Sequence, residues 1–229
     1  MFLDGKETVY PKVALQAYPK SGSLYVRKLL QAVTGIYTGS AESNELSLAE
    51  VLTENMPGSE VTCDSNRVWI TKTHWPVIDD QFKPKSFSAQ KCIVLVRNPL
   101  DIFVRLANLT NLGSHFLQPK HGIHTYRESW ERLVENAARQ LNGTMQAVIN
   151  NLIKSIPCYV IRYEDLELKR EEILTELFCF LLDAPSIEGT IVEKRIKNLA
   201  NLNIPRGSNS EQFIESINDI PYEEMYTEG

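Results

Sequence analysis

A chain of 229 residues, 43% hydrophobic and 23% charged, is long enough to bury a real core and suits one substantial domain better than two. Its formal net charge of −5 argues against a general nucleic-acid binder while leaving room for a local basic pocket. No apolar run reaches membrane-spanning length and the N-terminus does not read as a signal peptide, so a cytoplasmic protein without a membrane span is expected. Cys63, Cys92, Cys158 and Cys179 form no Cys-x-x-Cys pair, and two of them sit inside apolar runs. Buried free thiols are therefore expected, in place of a disulfide framework or a zinc knuckle.

The predicted elements alternate strand and helix. Val13 to Tyr18 reads as a short strand, followed by a helix whose apolar face carries Leu24, Tyr25, Val26, Leu29, Leu30 and Val33 and which Gly35 can stop. Leu46 to Asn55 reads as a short helix, and Arg67 to Thr71 as a strand running into Lys-Thr-His-Trp-Pro. Cys92 to Val96 is continuously apolar, as in a central parallel strand covered on both faces. Asn98-Pro99-Leu100-Asp101 combines a capping residue, a first-turn proline and an acid at the positive end of a helix dipole.

A long helical pattern then runs from about Tyr126 to Lys154, where Gly143 is a candidate interruption. Cys158 to Arg162 is the last predicted strand, and helices fit Glu171 to Leu182 and Ile187 to Leu199. Residues from about 203 to 229 are polar and read as a mobile tail. Connections of crossover length predict an α/β fold: a single three-layer domain over residues 1–229 with a central, mainly parallel sheet.

In such sheets ligands collect beyond the carboxyl ends of the strands. Three polar clusters each follow a predicted strand: Lys20-Ser21-Gly22-Ser23, Lys72-Thr73-His74 and Arg97-Asn98-Pro99. Gly22 lets the backbone turn tightly and approach an anion, and the following helix offers free N–H groups. The bland alternative for this loop is a capped turn with an exposed lysine. His74 has the equally bland reading of a packed histidine, and Arg97 that of an ion-pair partner for Asp101. His115, His121 and His124 lie in a polar connector without a suitable acid, and no metal is expected.

The stretch Y-P-K-S-G-S-L-Y resembles the phosphosulfate loop of sulfotransferases, usually Y-P-K-S-G-T-T-W. I-T-K-T-H-W-P, I-V-L-V-R-N-P-L-D-I-F-V and V-I-R-Y-E-D-L resemble three further segments of that family, in the same order and together spanning Tyr18 to Leu166. The resemblance implies a sulfotransferase that uses 3′-phosphoadenosine 5′-phosphosulfate as donor and releases adenosine 3′,5′-bisphosphate. The sulfuryl group would go to a hydroxyl or amine of a small acceptor.

The resemblance also assigns roles. Lys20, Ser21, Gly22, Ser23 and position 24 hold the 5′ end, with Lys20 and Lys72 as cations at the transferred group. His74 is the general base. Arg97 grips the 3′-phosphate, and Tyr25 and Tyr163 flank the adenine. No metal takes part.

Departures from the pattern are plain. Leu24 replaces a hydroxyl donor, Tyr25 replaces tryptophan, and Arg105 stands where a serine usually joins Arg97. The family's closing Arg-Lys-Gly loop and Gly-Asp-Trp are absent, with Arg206 as the candidate remnant. These losses keep a second reading in view, a catalytically impaired nucleotide- or ligand-binding relative. A kinase or NTPase fits worse, because Lys20 precedes its glycine. The sequence names neither the acceptor nor an oligomeric state.

Overall fold

The computed structural model describes residues 11–41, 66–74, 89–112 and 127–201. Among them, five strands form one sheet: β1 (Val13–Ala17), β2 (Gly39–Ser40), β3 (Ile70–Thr73), β4 (Lys91–Val96) and β5 (Cys158–Arg162), in the order β2-β3-β1-β4-β5. Every pairing is parallel, with Leu15 on β1 opposite Lys72 on β3 and Ile93 on β4. The helices are α1 (Ser23–Thr34), α2 (Pro99–Leu112), α3 (Arg127–Ala147), α4 (Tyr163–Leu168), α5 (Arg170–Leu182) and α6 (Ile191–Asn201).

Strand alternation sends Val13, Leu15 and Ala17 to one face of the sheet, where they join Leu29 and Leu30 of α1, Leu177 and Phe178 of α5, and Ile196 and Leu199 of α6 in one core. On the opposite face Ala14, Cys92, Val94 and Val148 form one smaller cluster, and Tyr18, Ile102, Phe103 and Ala137 another. Three layers result, as the alternating pattern predicts. The helix after β1 covers one face and the helices after β4 cover the other. The two neighbouring strands therefore send their following loops apart, which opens a crevice at their carboxyl ends.

Local signals explain the boundaries. Gly35 ends α1 in the left-handed conformation, φ 71°, and its N–H donates to the Gln31 carbonyl at 2.7 Å. The Asn98 side chain caps α2 by accepting from the Leu100 N–H at 3.0 Å. Other expectations need correcting. β3 begins and ends later than Arg67–Thr71, so Lys72 and Thr73 belong to the strand. Gly143 does not interrupt α3; the irregularity is a π-helical turn at Val148–Leu152, leading to a last turn at Ile153–Ser155. Tyr163–Leu168 is a helix, and the last helix starts at Ile191, four residues past the expected Ile187. Ile187 is nevertheless buried in the main core, which explains its apolar signal. The expected helix at Leu46–Asn55 and the expected tail lie outside the described residues.

Candidate functional site

The loop between β1 and α1 is tightly wound. Lys20 has φ 66° and Gly22 φ 98°, both left-handed, and the Ser21 N–H donates to the Tyr18 carbonyl at 3.1 Å. For a lysine that conformation is strained by about 1–3 kcal/mol, a cost that recurs at ligand-binding turns. Gly22 is also the N-cap of α1 and supplies no side-chain hydrogen bond. The first amides of the helix therefore have no side-chain cap from Gly22, and a negative charge placed at this end is stabilised. The Ser21 side chain is 1% exposed, and its hydroxyl has no hydrogen-bond partner. Ser23 is buried, while Leu24 is half-buried and adds no donor.

Gly22 has a second, purely steric reason to be glycine. A Cβ there would lie 2.5 Å from two ring atoms of Tyr163, which packs over the loop. The same ring meets Tyr25 edge-on at 5.8 Å between centroids and carries the Arg97 guanidinium on its face at 3.9 Å. Loop, tyrosine and arginine thus form a stack that joins the ends of β1, β4 and β5. Burial, and then hydrogen bonding of its hydroxyl to the Glu167 carboxylate, push Tyr163 well above the usual tyrosine pKa, so the phenol stays protonated; Arg97 and Arg105 pull the other way.

Arg97 has a side chain only 7% exposed, its Nε is without a partner, and Asp101 lies 3.7 Å from its Nη2. That spacing is a loose ion pair, which leaves donor capacity on the guanidinium. Arg97, in the preceding loop, reaches Asp101 from outside the helix, and Arg105 lies one turn beyond Asp101 on α2, so that Asp101 and Arg105 share one helical face. The electrostatic neighbours of Arg105 are Arg97, Tyr163, Asp101 and Glu167, which places it toward the stack. Desolvation of the head group first, and the Arg97 charge second, lower its pKa from the ordinary arginine value, although the residue as a whole is exposed.

His74 follows β3, and its Nδ1 lies 3.0 Å from the Ala17 carbonyl at the end of β1. A carbonyl only accepts, so Nδ1 carries the proton and Nε2 is the basic nitrogen. This bond fixes the ring at the mouth of the sheet, next to the loop that carries Lys20. Lys72, 1% exposed, sits in β3 on the α1 face, in register with Leu15 and Ser40. Tyr25 is 9% exposed and belongs to the main core, with Arg170 Nε donating to its hydroxyl at 3.1 Å. Arg206 and the three connector histidines lie outside the described residues.

The structure thus brings Lys20, Ser21, Gly22, Arg97 and Tyr163 to one end of the sheet, with His74 beside them. Sequence reasoning missed Glu164, whose carboxylate accepts from the Asn98 N–H at 2.7 Å and ties the loop after β4 to the end of β5. The only signal for it was an acid next to Tyr163. Among the described residues no group of His, Cys, Asp and Glu side chains could hold a metal ion, and no helix is long and apolar enough to cross a membrane.

No family model matches the chain. It is 30% identical over 171 residues to the Drosophila melanogaster protein named WSCD family member CG9164, and equally to WSCD family member GA21586 of Drosophila pseudoobscura pseudoobscura. WSCD family member AAEL009094 of Aedes aegypti is 28% identical over the same length. These matches take in 73% of this chain and 49% of each relative, so the chain spans about half the length of the curated relatives it matches. Among solved structures, the sulfotransferase domain from the curacin biosynthetic pathway aligns with 92% of this chain and 98% of its own, at 16% identity and a TM-score of 0.46. By sequence, this chain is similar to WSCD family members over most of its length.

Proposed function

We propose that the chain is a sulfotransferase that takes 3′-phosphoadenosine 5′-phosphosulfate as donor and a hydroxyl or amine of a small molecule as acceptor. The observation that carries this reading is the unmet polar capacity at the crevice. A buried Ser21 hydroxyl and a buried Arg97 Nε, both without partners, belong to the two loops that diverge from β1 and β4. Leaving such groups unpaired costs about 1–3 kcal/mol each, which a bound anion would recover. The donor set is all cation, hydroxyl and amide, which suits a doubly phosphorylated nucleotide and no hard metal.

The roles follow from position. The amides at the start of α1, with Ser21 and Lys20, hold the 5′ phosphosulfate and stabilise charge developing on the leaving phosphate oxygen. Lys72 adds a cation from β3. Arg97, with Arg105 where the family pattern has serine, takes the 3′-phosphate, and Tyr163 positions Arg97 by stacking. His74, held through Nδ1, removes the acceptor proton at Nε2.

A second reading is a nucleotide-binding relative with little chemistry. It is favoured by Leu24, which lacks the usual hydroxyl, and by Tyr25, which lies in the core with only a small part of its surface exposed. One titration, of the purified chain with adenosine 3′,5′-bisphosphate against adenosine 5′-monophosphate, tests the donor site in both. The expected result is at least tenfold preference for the bisphosphate, lost in Arg97→Ala. Equal or absent binding of both nucleotides removes the donor site and the enzyme with it. Binding without sulfation of a broad hydroxyl and amine panel leaves the second reading. Where turnover is found, His74→Asn should reduce kcat by about two to four orders of magnitude without a matching loss of bisphosphate affinity.

A further inference from the structure

We propose that Cys92 and Cys158 are a dithiol that a low-molecular-weight disulfide such as glutathione disulfide converts into a cross-strand disulfide between β4 and β5. The two residues are register partners on neighbouring parallel strands, and each is a free cysteine. Neighbouring strands lie about 4.7–4.9 Å apart, which falls inside the range of about 4.4–6.8 Å that disulfides span between Cα atoms. Both side chains leave the same face of the sheet and join the same apolar cluster with Ala14 and Val94, which sets the two thiols side by side on neighbouring strands.

The two thiols differ in a way that orders the chemistry. Cys158 is half-buried near the amino end of the edge strand β5, whereas Cys92 is fully buried in a central strand. An outside reagent therefore meets Cys158 first. Cys92 donates to the Ile93 carbonyl at 3.5 Å and Cys158 to the Ile156 carbonyl at 3.3 Å. The neighbouring thiol holds Cys158 below the ordinary cysteine pKa, with burial opposing it, and the neighbouring thiol followed by burial raises Cys92. The more accessible sulfur is thus the better thiolate.

The steps balance as thiol–disulfide exchange. The Cys158 thiolate attacks one sulfur of glutathione disulfide, the S–S bond breaks, and one glutathione thiolate leaves, giving a mixed disulfide. Cys92 then loses its proton and attacks the Cys158 sulfur, releasing the second glutathione. The net change is two protein thiols oxidised and one glutathione disulfide reduced to two thiols. Cys92 needs no solvent access for this, because its target is already its neighbour. Cys179, on α5 in the opposite layer, has no such neighbour among the described cysteines and should stop at a mixed disulfide.

The test uses the whole purified chain at neutral pH. It is incubated with glutathione disulfide, its remaining thiols are alkylated in denaturant, and it is mapped by non-reducing peptide mass spectrometry. The expected product is a Cys92–Cys158 linked peptide, two hydrogen masses lighter than the reduced pair and restored by excess reduced glutathione. Cys92→Ala should trap glutathione on Cys158, and Cys158→Ser should leave Cys92 unmodified. A native chain whose Cys92 and Cys158 both still alkylate, or whose Cys158 keeps glutathione without closing on Cys92, overturns the proposal. Adenosine 3′,5′-bisphosphate binding does not enter the result, so the sulfotransferase reading and this one fail separately.

Discussion

The two faces of the sheet are built differently. The face under α1, α5 and α6 is one continuous apolar cluster running from Val13 to Leu199. The face under α2 and α3 holds two smaller clusters among the described residues, with Gln16 between Ala14 and Tyr18 on the central strand. Gln16 is 0% exposed and neither atom of its carboxamide has a partner; the Thr71 hydroxyl on β3 is buried and unpartnered as well. The first face carries most of the apolar burial, with Lys72 a buried charge within it, and the second holds the unpartnered Gln16 carboxamide and Thr71 hydroxyl, which a core optimised for stability would replace.

The largest test of that contrast is Leu29→Ala, at a position with 0% exposure in the continuous cluster. We expect a loss of about 2–5 kcal/mol in urea unfolding, from lost transfer energy and the cavity left behind. A loss below about 1 kcal/mol would mean that the first face is not the stability-bearing one.

Gly22→Ala comes next. Its φ of 98° and the 2.5 Å approach to the Tyr163 ring should combine to destabilise the chain by about 1–3 kcal/mol. The variant should also lose bisphosphate binding, because the ring must move and Arg97 rests on it. Unchanged stability with unchanged nucleotide affinity would separate the loop from the stack.

Gln16→Met should move the other way. Replacing an unpartnered buried carboxamide by an unbranched apolar side chain should stabilise by about 1 kcal/mol in the same unfolding assay. Destabilisation would show that the carboxamide has partners on that face in solution.

The smallest effect concerns pH. Lys28 is 6% exposed, and burial first, then the charge of Arg27, lower its pKa from the usual lysine value. The unfolded chain therefore binds more protons than the folded one between the lowered value and the ordinary one, and Lys28 contributes a stability that rises with pH in that window. Lys28→Met should be more stable than the parent at neutral pH, and the gap should narrow as pH climbs toward the ordinary lysine range. A gap that stays constant across that range would mean that Lys28 titrates as it does in the unfolded chain.

Much of the fold was legible in short stretches. The Asn98-Pro99 start of α2, the Gly35 stop of α1 and the apolar run of β4 are local preferences of the backbone, and local residues suffice to set them. The boundaries that failed were those that tertiary packing decided. β3 runs on through Lys72 and Thr73 because β1 pairs with both and β2 with Lys72, and Ile187 carries an apolar signal from the core without being helical.

The same division runs through the candidate site. The sequence by itself determined the α/β alternation, the glycine turn ahead of a helix, and the placing of Lys20, His74 and Arg97 close to strand ends. Only the tertiary structure decided that Tyr163 rests on Gly22 beneath Arg97, that His74 bonds to Ala17, that Glu164 holds Asn98, and that Cys92 lies beside Cys158. Each of these joins residues more than fifty positions apart in the chain, and what brings them together is strand order and register, which follow from burying two faces of one sheet at once.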